Sequence, residues 1–381
     1  MGNECVGHLP FSPLYTSGGL RYERFQSFSL LNQPREHSRS LREIFRGEGI
    51  DSDARVGCIG WKYFTPVESD APATVIDVPA YLVDTLRALC APGAVTNATD
   101  LLMSPSYGLR TCCSVYEIAC FEYANVLASE GMRRVLHQFR AGATDFELMR
   151  AYAYNGYPLN SHPGMKSSGN LTYGLSSPTG DVVRRGDPCS TNIGYWGSNL
   201  CRAGWVAFDE TDLPEAARDY VPAFAAPYFE ACYAWYRLMR IGTPGKAFRR
   251  LIDEQLPFDR FGVFLNPGHL IHYDEWVSSP IYADSEEVIR SGMCIQVDII
   301  PRSPIYSSCR MEEGIVIADA ALRAELAATY PAVYDRCMRR RQFMTDVLGF
   351  DLPDEVLPLS NIPGIVPPFF LNPEQILTLR P

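Results

Sequence analysis

The chain has 381 residues, 46% of them hydrophobic and 12% aromatic, which is enough to bury a large core, and the length favours two domains over one. Its 34 basic and 44 acidic residues leave a net charge of -10, so there is no broad positive footprint for a polyanion and no nucleic acid is expected as a partner. The dense basic run Arg339-Arg340-Arg341 follows helix-like sequence and reads as a solvated helix end.

The opening, MGNECVGHLP, has neither the basic end nor the apolar run of a secretory signal, and Val6 stands where a myristoylation motif needs Ser or Thr. No apolar run approaches the roughly 20 residues that span a bilayer. No membrane association is expected, and the sequons at Asn97 and Asn170 read as chance matches. The cysteines are scattered without a C-x-x-C pair, and adjacent Cys112 and Cys113 make poor disulfide geometry. Reduced, mostly buried thiols in a cytoplasmic protein are expected. RVGCIGW from Arg55 predicts a strand, and VPAYLVDTLRALC from Val78 a helix with Pro in its first turn. They outline a small α/β domain over residues 1–108, which begins without a full element and is expected to lack its first strands.

Residues 114–139 keep apolar side chains at three and four spacing for about seven turns, broken once by Gly131, and predict a helix pair opening a second domain over 109–350. Thr144 with Glu147 three residues on predicts a capped helix running towards Tyr154. The polar Gly/Pro/Ser-rich segment 155–186 is too long for a connector and is expected to be a loop lining a site. Beyond it, DPCSTNIGYWGSNLCRAGWVAF and GMCIQVDIIP predict strands, while 220–239 and 320–348 predict helices. The order makes an α+β fold. The stretch 351–381, with five prolines between 353 and 368, is expected to be an extended arm laid over the body or a partner subunit.

Four separated pieces share one grammar, a polar side chain on a strand beside Gly or Pro: Asn192 and Asn199 in GDPCSTNIGYWGSNLCR, His269 in PGHLIHYDEW, Asp298 in SGMCIQVDIIP, and Glu312 in CRMEEGIVIAD. Imidazole and carboxylates from separate strands suit a borderline or hard divalent cation. Each has a bland reading. Asn192 beside Ile193-Gly194 serves equally as a turn or bulge residue, His269 as a core histidine on a backbone carbonyl, and Asp274 and Glu275 as solvated loop charges. Asp298 lies within an apolar run and needs a partner if buried; Arg310 or Arg202 would make that pair structural. Glu313 is expected to face outward, opposite Glu312.

The order GD…N-x-G…N-x-x-R, then P-G-H, then G-M-x-x-x-x-D-x-x-P, then R-x-E-E resembles the pita-bread family of aminopeptidase P, prolidase, methionine aminopeptidase and creatinase, over roughly residues 110–320. The amino-terminal third resembles the smaller domain that precedes that fold. The resemblance implies an α+β pita-bread domain, a homodimer, and a site whose five metal ligands fall on Asn192, Asn199, His269, Asp298 and Glu312. In the family's peptidases the first two are Asp and the last two Glu. Only two carboxylates remain against two divalent ions, and uncompensated buried charge is costly. The set is therefore expected to hold one divalent ion, manganese, cobalt or zinc, or none. The resemblance also implies that Glu275 stands where a pocket acid sits and that His272 lies on an altered loop. The family's metal-free member, creatinase, uses a histidine in the loop before GD; here that stretch carries Leu175 and Ser176, with His162 further upstream.

Three functions follow. The first is hydrolysis of a C–N bond in an Xaa-Pro-type peptide or small amide, with His269, Asp298 and Glu312 catalytic and His272, Glu275 and Arg310 binding substrate. The second is metal-free hydrolysis in the manner of creatinase, with His269 or His162 as acid–base group. The third is a non-catalytic member that keeps a ligand pocket.

Overall fold

A computed structural model describes residues 2–167 and 176–379, and the chain divides into two units, Met1–Met103 and Ser104–Pro381. In the first, α1 (Leu41–Gly47) starts at a capping box in which Ser40 and Glu43 satisfy each other's backbone N–H groups. Strand β1 (Val56–Cys58) leads through α2 (Ala80–Arg87) to β2 (Val95–Asn97), which pairs with β1 in parallel. Cys58, Leu86, Leu89, Cys90 and Val95 form its core. Among the described residues no strand precedes β1.

The second unit opens with α3 (Val115–Gln138), capped by Ser114 and Glu117. It is one continuous helix where a pair was expected. Gly131 does not break it; the glycine makes room, since a Cβ there would stand 3.0 Å from Tyr152 Cδ1 and 3.1 Å from Tyr152 O. Helix α4 (Asp145–Met149) carries the predicted Thr144–Glu147 box but is short, ending through a 3-10 turn, Arg150–Tyr152, at left-handed Ala153. The segment expected as a loop contains strand β3 (Ser161–Ser167); Leu175 lies outside the described residues.

Strands β4 (Pro188–Tyr195) and β5 (Ser198–Trp205) form a hairpin across Trp196-Gly197, with Gly197 left-handed. Helices α5 (Ala226–Leu238) and α6 (Gly245–Gln255) follow, then β6 (His269–Leu270), β7 (Cys294–Val297) and β8 (Arg310–Ile317). The chain continues through α7 (Ala320–Thr329) and α8 (Pro331–Phe343), divided where Pro331 removes a backbone donor, to β9 (Val356–Pro358). The sheet runs β3-β4-β5-β8-β7-β6, with β9 also on β8, and β4, β5 and β8 are buried nearly throughout. The core beneath α3 is built from residues such as Ala128, Met132, Ile193 and Leu200.

Two expectations change here. The stretch after 351 lies on the body of its own unit: β9 joins the sheet, and Ile362, Val366, Phe369 and Phe370 are buried, because apolar side chains between the prolines have a core to enter. Arg340 is no solvated helix end. It is buried and pairs with Glu122 at 2.7 Å, while Arg336 pairs with the same carboxylate at 2.6 Å; a fully buried acid needs these cations. Glu313 faces away from Glu312 but not into solvent, since both faces of β8 are covered; it pairs with buried Arg202 at 2.8 Å. All twelve cysteines are free, and nine are buried. No helix among the described residues is long and apolar enough to cross a membrane.

Candidate functional site

Strand register gathers the polar residues. Asn192 pairs with Cys201 and Gly194 with Asn199; Cys201 in turn pairs with Glu312, Gln296 with Gly314, and His269 with Gln296. Side chains alternate along a strand, so Asn192, Asn199, Glu312, Gln296 and His269 share one face, as does Asp298 just past β7, while Arg202 and Glu313 take the other. Gly268 lets His269 approach: its φ is +133°, and a Cβ there would stand 3.0 Å from Gln296 O. The P-G-H motif is a backbone requirement before it is a chemical one.

On that face Asn199 Nδ2 donates to Glu312 Oε1 at 2.7 Å and to Glu275 Oε1 at 3.1 Å. His269 Nε2 stands 3.5 Å from Glu275 Oε1 and 3.9 Å from Asp298 Oδ2, and its Nδ1 meets Leu270 O at 3.0 Å, which turns Nε2 towards the acids. Donor atoms of His269, Glu275 and Glu312 lie within 4.8 Å of one another. Burial alone would lower the His269 pKa, but Glu275 and then Asp298 reverse it and raise it to about 9. Burial pushes Glu312 well above the usual carboxylate range, with Asp298 and Glu275 adding to the rise, and burial raises Asp298 against the pull of His269 and Arg310. Asn192 Oδ1, Asn199 Oδ1, Glu275 Oε2, Asp298 Oδ1 and Arg310 Nε are buried without a hydrogen-bond partner, a concentration that natural cores avoid outside functional sites.

These donors fit one ion. The close triangle is His269, Glu275 and Glu312, hard and borderline donors from three segments. Asn199 sets an N–H against both carboxylates. Asn192 lies beyond the triangle; its Nδ2 meets His162 O at 3.5 Å, and Gly164 packs against it.

The remaining expected residues divide. Glu275 is a member of the site and not a solvated loop charge, and Arg310 borders it, with Nη1 at 3.4 Å from Cys201 Sγ. Arg202 does not pair with Asp298. His272 is not in the His269 group: its Nε2 lies 3.1 Å from Glu117 Oε1 and its ring sits edge-on to Phe121 and Tyr273. Asp274 pairs with Arg110. His162 is exposed and meets Ser177 Oγ at 3.0 Å. Gln296, whose Nε2 donates to Asn199 O at 2.8 Å, was missed, although its place two residues before Asp298 puts both on one strand face.

No family model and no curated protein matches the sequence. Solved structures match the fold. A dipeptidase from Pyrococcus horikoshii OT3 aligns with a TM-score of 0.57 at 18% identity, covering 72% of each chain. An Xaa-Pro dipeptidase from Bacillus anthracis aligns at 0.58 and 16%, covering 84% of this chain and 81% of its own. A prolidase from Pyrococcus furiosus aligns at 0.57 and 17%, covering 74% and 77%. The chain has the pita-bread fold of the prolidases and aminopeptidase P, with neutral amides at two positions of its polar sheet face.

Proposed function

We propose that this chain hydrolyses a C–N bond in a short peptide or small amide at the His269, Glu275 and Glu312 group, with one divalent ion at most. The observation that carries the reading is the buried triangle of one imidazole and two carboxylates within 4.8 Å, with unpartnered oxygens of Asn199 and Asp298 beside it. The printed names of the solved proteins, dipeptidase, Xaa-Pro dipeptidase and prolidase, agree with a peptide substrate. Manganese, cobalt or zinc held by His269 Nε2, Glu275 and Glu312 would polarise a carbonyl and acidify a water.

The side chains supply the rest. The unpartnered Oδ1 atoms of Asn192 and Asn199 accept hydrogen bonds from an amide N–H or an ammonium group. Burial pushes Glu312 towards its neutral form, and without a metal on it the protonated acid would pass a proton to a departing nitrogen. Asp298, beside His269 and Arg310, accepts one in return. Arg310 keeps positive charge behind Asp298. The proposal includes a homodimer, which light scattering tests, and a cytoplasmic location.

Asn199 favours a second reading. By donating to Glu275 and Glu312 together it does the holding that a cation would do, leaving His269 as the acid–base group of a metal-free hydrolase. The full chain is to be assayed on Xaa-Pro dipeptides and small amides, with its metal content measured. Activity that tracks one equivalent of metal and is lost on chelation supports the first reading, and activity that survives chelation supports the second. No turnover with any of the three metals overturns both and leaves a ligand-binding protein.

A further inference from the structure

A second group of ligating side chains shares no residue with the His269 site. Cys113 stands just before the N-cap of α3, and its N–H donates to Gly292 O at 2.7 Å. Gly292 is left-handed, with φ +89°, and a Cβ on it would stand 3.1 Å from Cys112 Cβ, so glycine lets the two segments touch. Two residues further on, Cys294 starts β7, and Ile271 N donates to Cys294 O at 3.0 Å, which brings in His272. Glu117, in the first turn of α3, accepts from Ser114 N and Oγ at 2.8 Å through Oε2 and turns Oε1 to His272 Nε2 at 3.1 Å.

The start of α3 and the loop after β6 thus deliver a thiol, a carboxylate and an imidazole to one spot. Donor atoms of Cys113, Glu117 and His272 lie within 4.8 Å of one another, and Cys294 neighbours Cys113 outside that group. His272 is 3% exposed, yet its Nδ1 is buried with no partner. We propose that Cys113, Glu117 and His272 form a three-donor site for a divalent ion of the zinc class.

Thiolate and imidazole are the donors that select zinc over magnesium or calcium. Two donors each ~2.0 Å from a tetrahedral ion stand ~3.3 Å apart, close to the 3.1 Å between Glu117 and His272. With three protein donors one position of a tetrahedral ion stays open. The ion ties the start of α3 to the loop after β6, next to the strand that carries His269. The alternative is a hydrogen-bonded core cluster, which would have no affinity for metal.

The full chain, reduced, chelated and kept anaerobic, is titrated with Co²⁺ and in parallel with Zn²⁺. One equivalent of Co²⁺ should give a thiolate-to-cobalt charge-transfer band and tetrahedral d–d absorption. The band should vanish in Cys113→Ser, and survive in the double variant His269→Ala with Glu312→Gln, which separates this site from the proposed hydrolytic one. Zn²⁺ should raise the Tm of the parent but not of Cys113→Ser. Absence of the band in folded parent protein overturns the proposal whatever the variants do, as does a band unchanged in Cys113→Ser.

Discussion

Replacing Asn199 by Asp tests whether an amide now does what a cation would do. In the parent, Nδ2 donates to Glu312 at 2.7 Å and to Glu275 at 3.1 Å, and all three side chains are buried. Asn199→Asp deletes both donors. A bond to a neutral partner is worth ~1 kcal/mol and one to a carboxylate ~1.5–3 kcal/mol. A new charge ~3 Å from Glu275 adds roughly 5 kcal/mol of repulsion at an effective dielectric constant near 20, most of which the protein escapes by taking up a proton. The net expectation in chelator at neutral pH is a loss of about 3–5 kcal/mol, shrinking towards pH 5 as the added charge is neutralised. A divalent ion at ~100 times its Kd should return ~2.7 kcal/mol to the variant and less to the parent. Urea unfolding with chelator or with Mn²⁺, at two pH values, measures each quantity. A variant as stable as the parent in chelator, or one that Mn²⁺ stabilises no more than the parent, refutes the reasoning.

Glu122→Gln should cost about 3–5 kcal/mol, because Arg340, 6% exposed, loses its counter-charge; a shift in the urea midpoint worth under 1 kcal/mol would contradict this. In chelated protein His269 keeps its proton to about 9 against an ordinary 6.5. A raised folded pKa contributes stability that is complete below pH 6.5 and lost as pH rises through 9. The stability gap between the parent and His269→Asn should therefore narrow by roughly 3 kcal/mol across that window, and a pH-independent gap would show that the imidazole is not so held. Gly164→Ala places a Cβ 2.4 Å from Asn192 Oδ1 and 3.0 Å from Ser176 O. It should cost ~1–3 kcal/mol and weaken substrate or inhibitor binding measured by calorimetry, whereas unchanged binding would remove Asn192 from the site.

Local rules read directly from the sequence were those with a local cause. Thr144 with Glu147 caps a helix because the pair satisfies N–H groups within one turn. The Ser114–Glu117 box and the hairpin turn at left-handed Gly197 have causes just as local and went unread. Gly131 was misread because its reason, the backbone of Tyr152, is a neighbour in space. Arg340 and Glu313 were misread likewise: alternation or helix position says which way a side chain points, but not whether another layer covers it.

The sequence by itself determined which residues of one strand share a face, because the period of two is a property of the chain. Only the tertiary structure decided which of these groups meet. It drew Glu275 into the triangle with His269 and Glu312, and turned His272 away to Glu117. The physical reason is that a site is a set of distances between segments, and those distances are set by the pairing and packing of β5, β7 and β8 and the loop after β6, none of which is visible in the residues of any one segment.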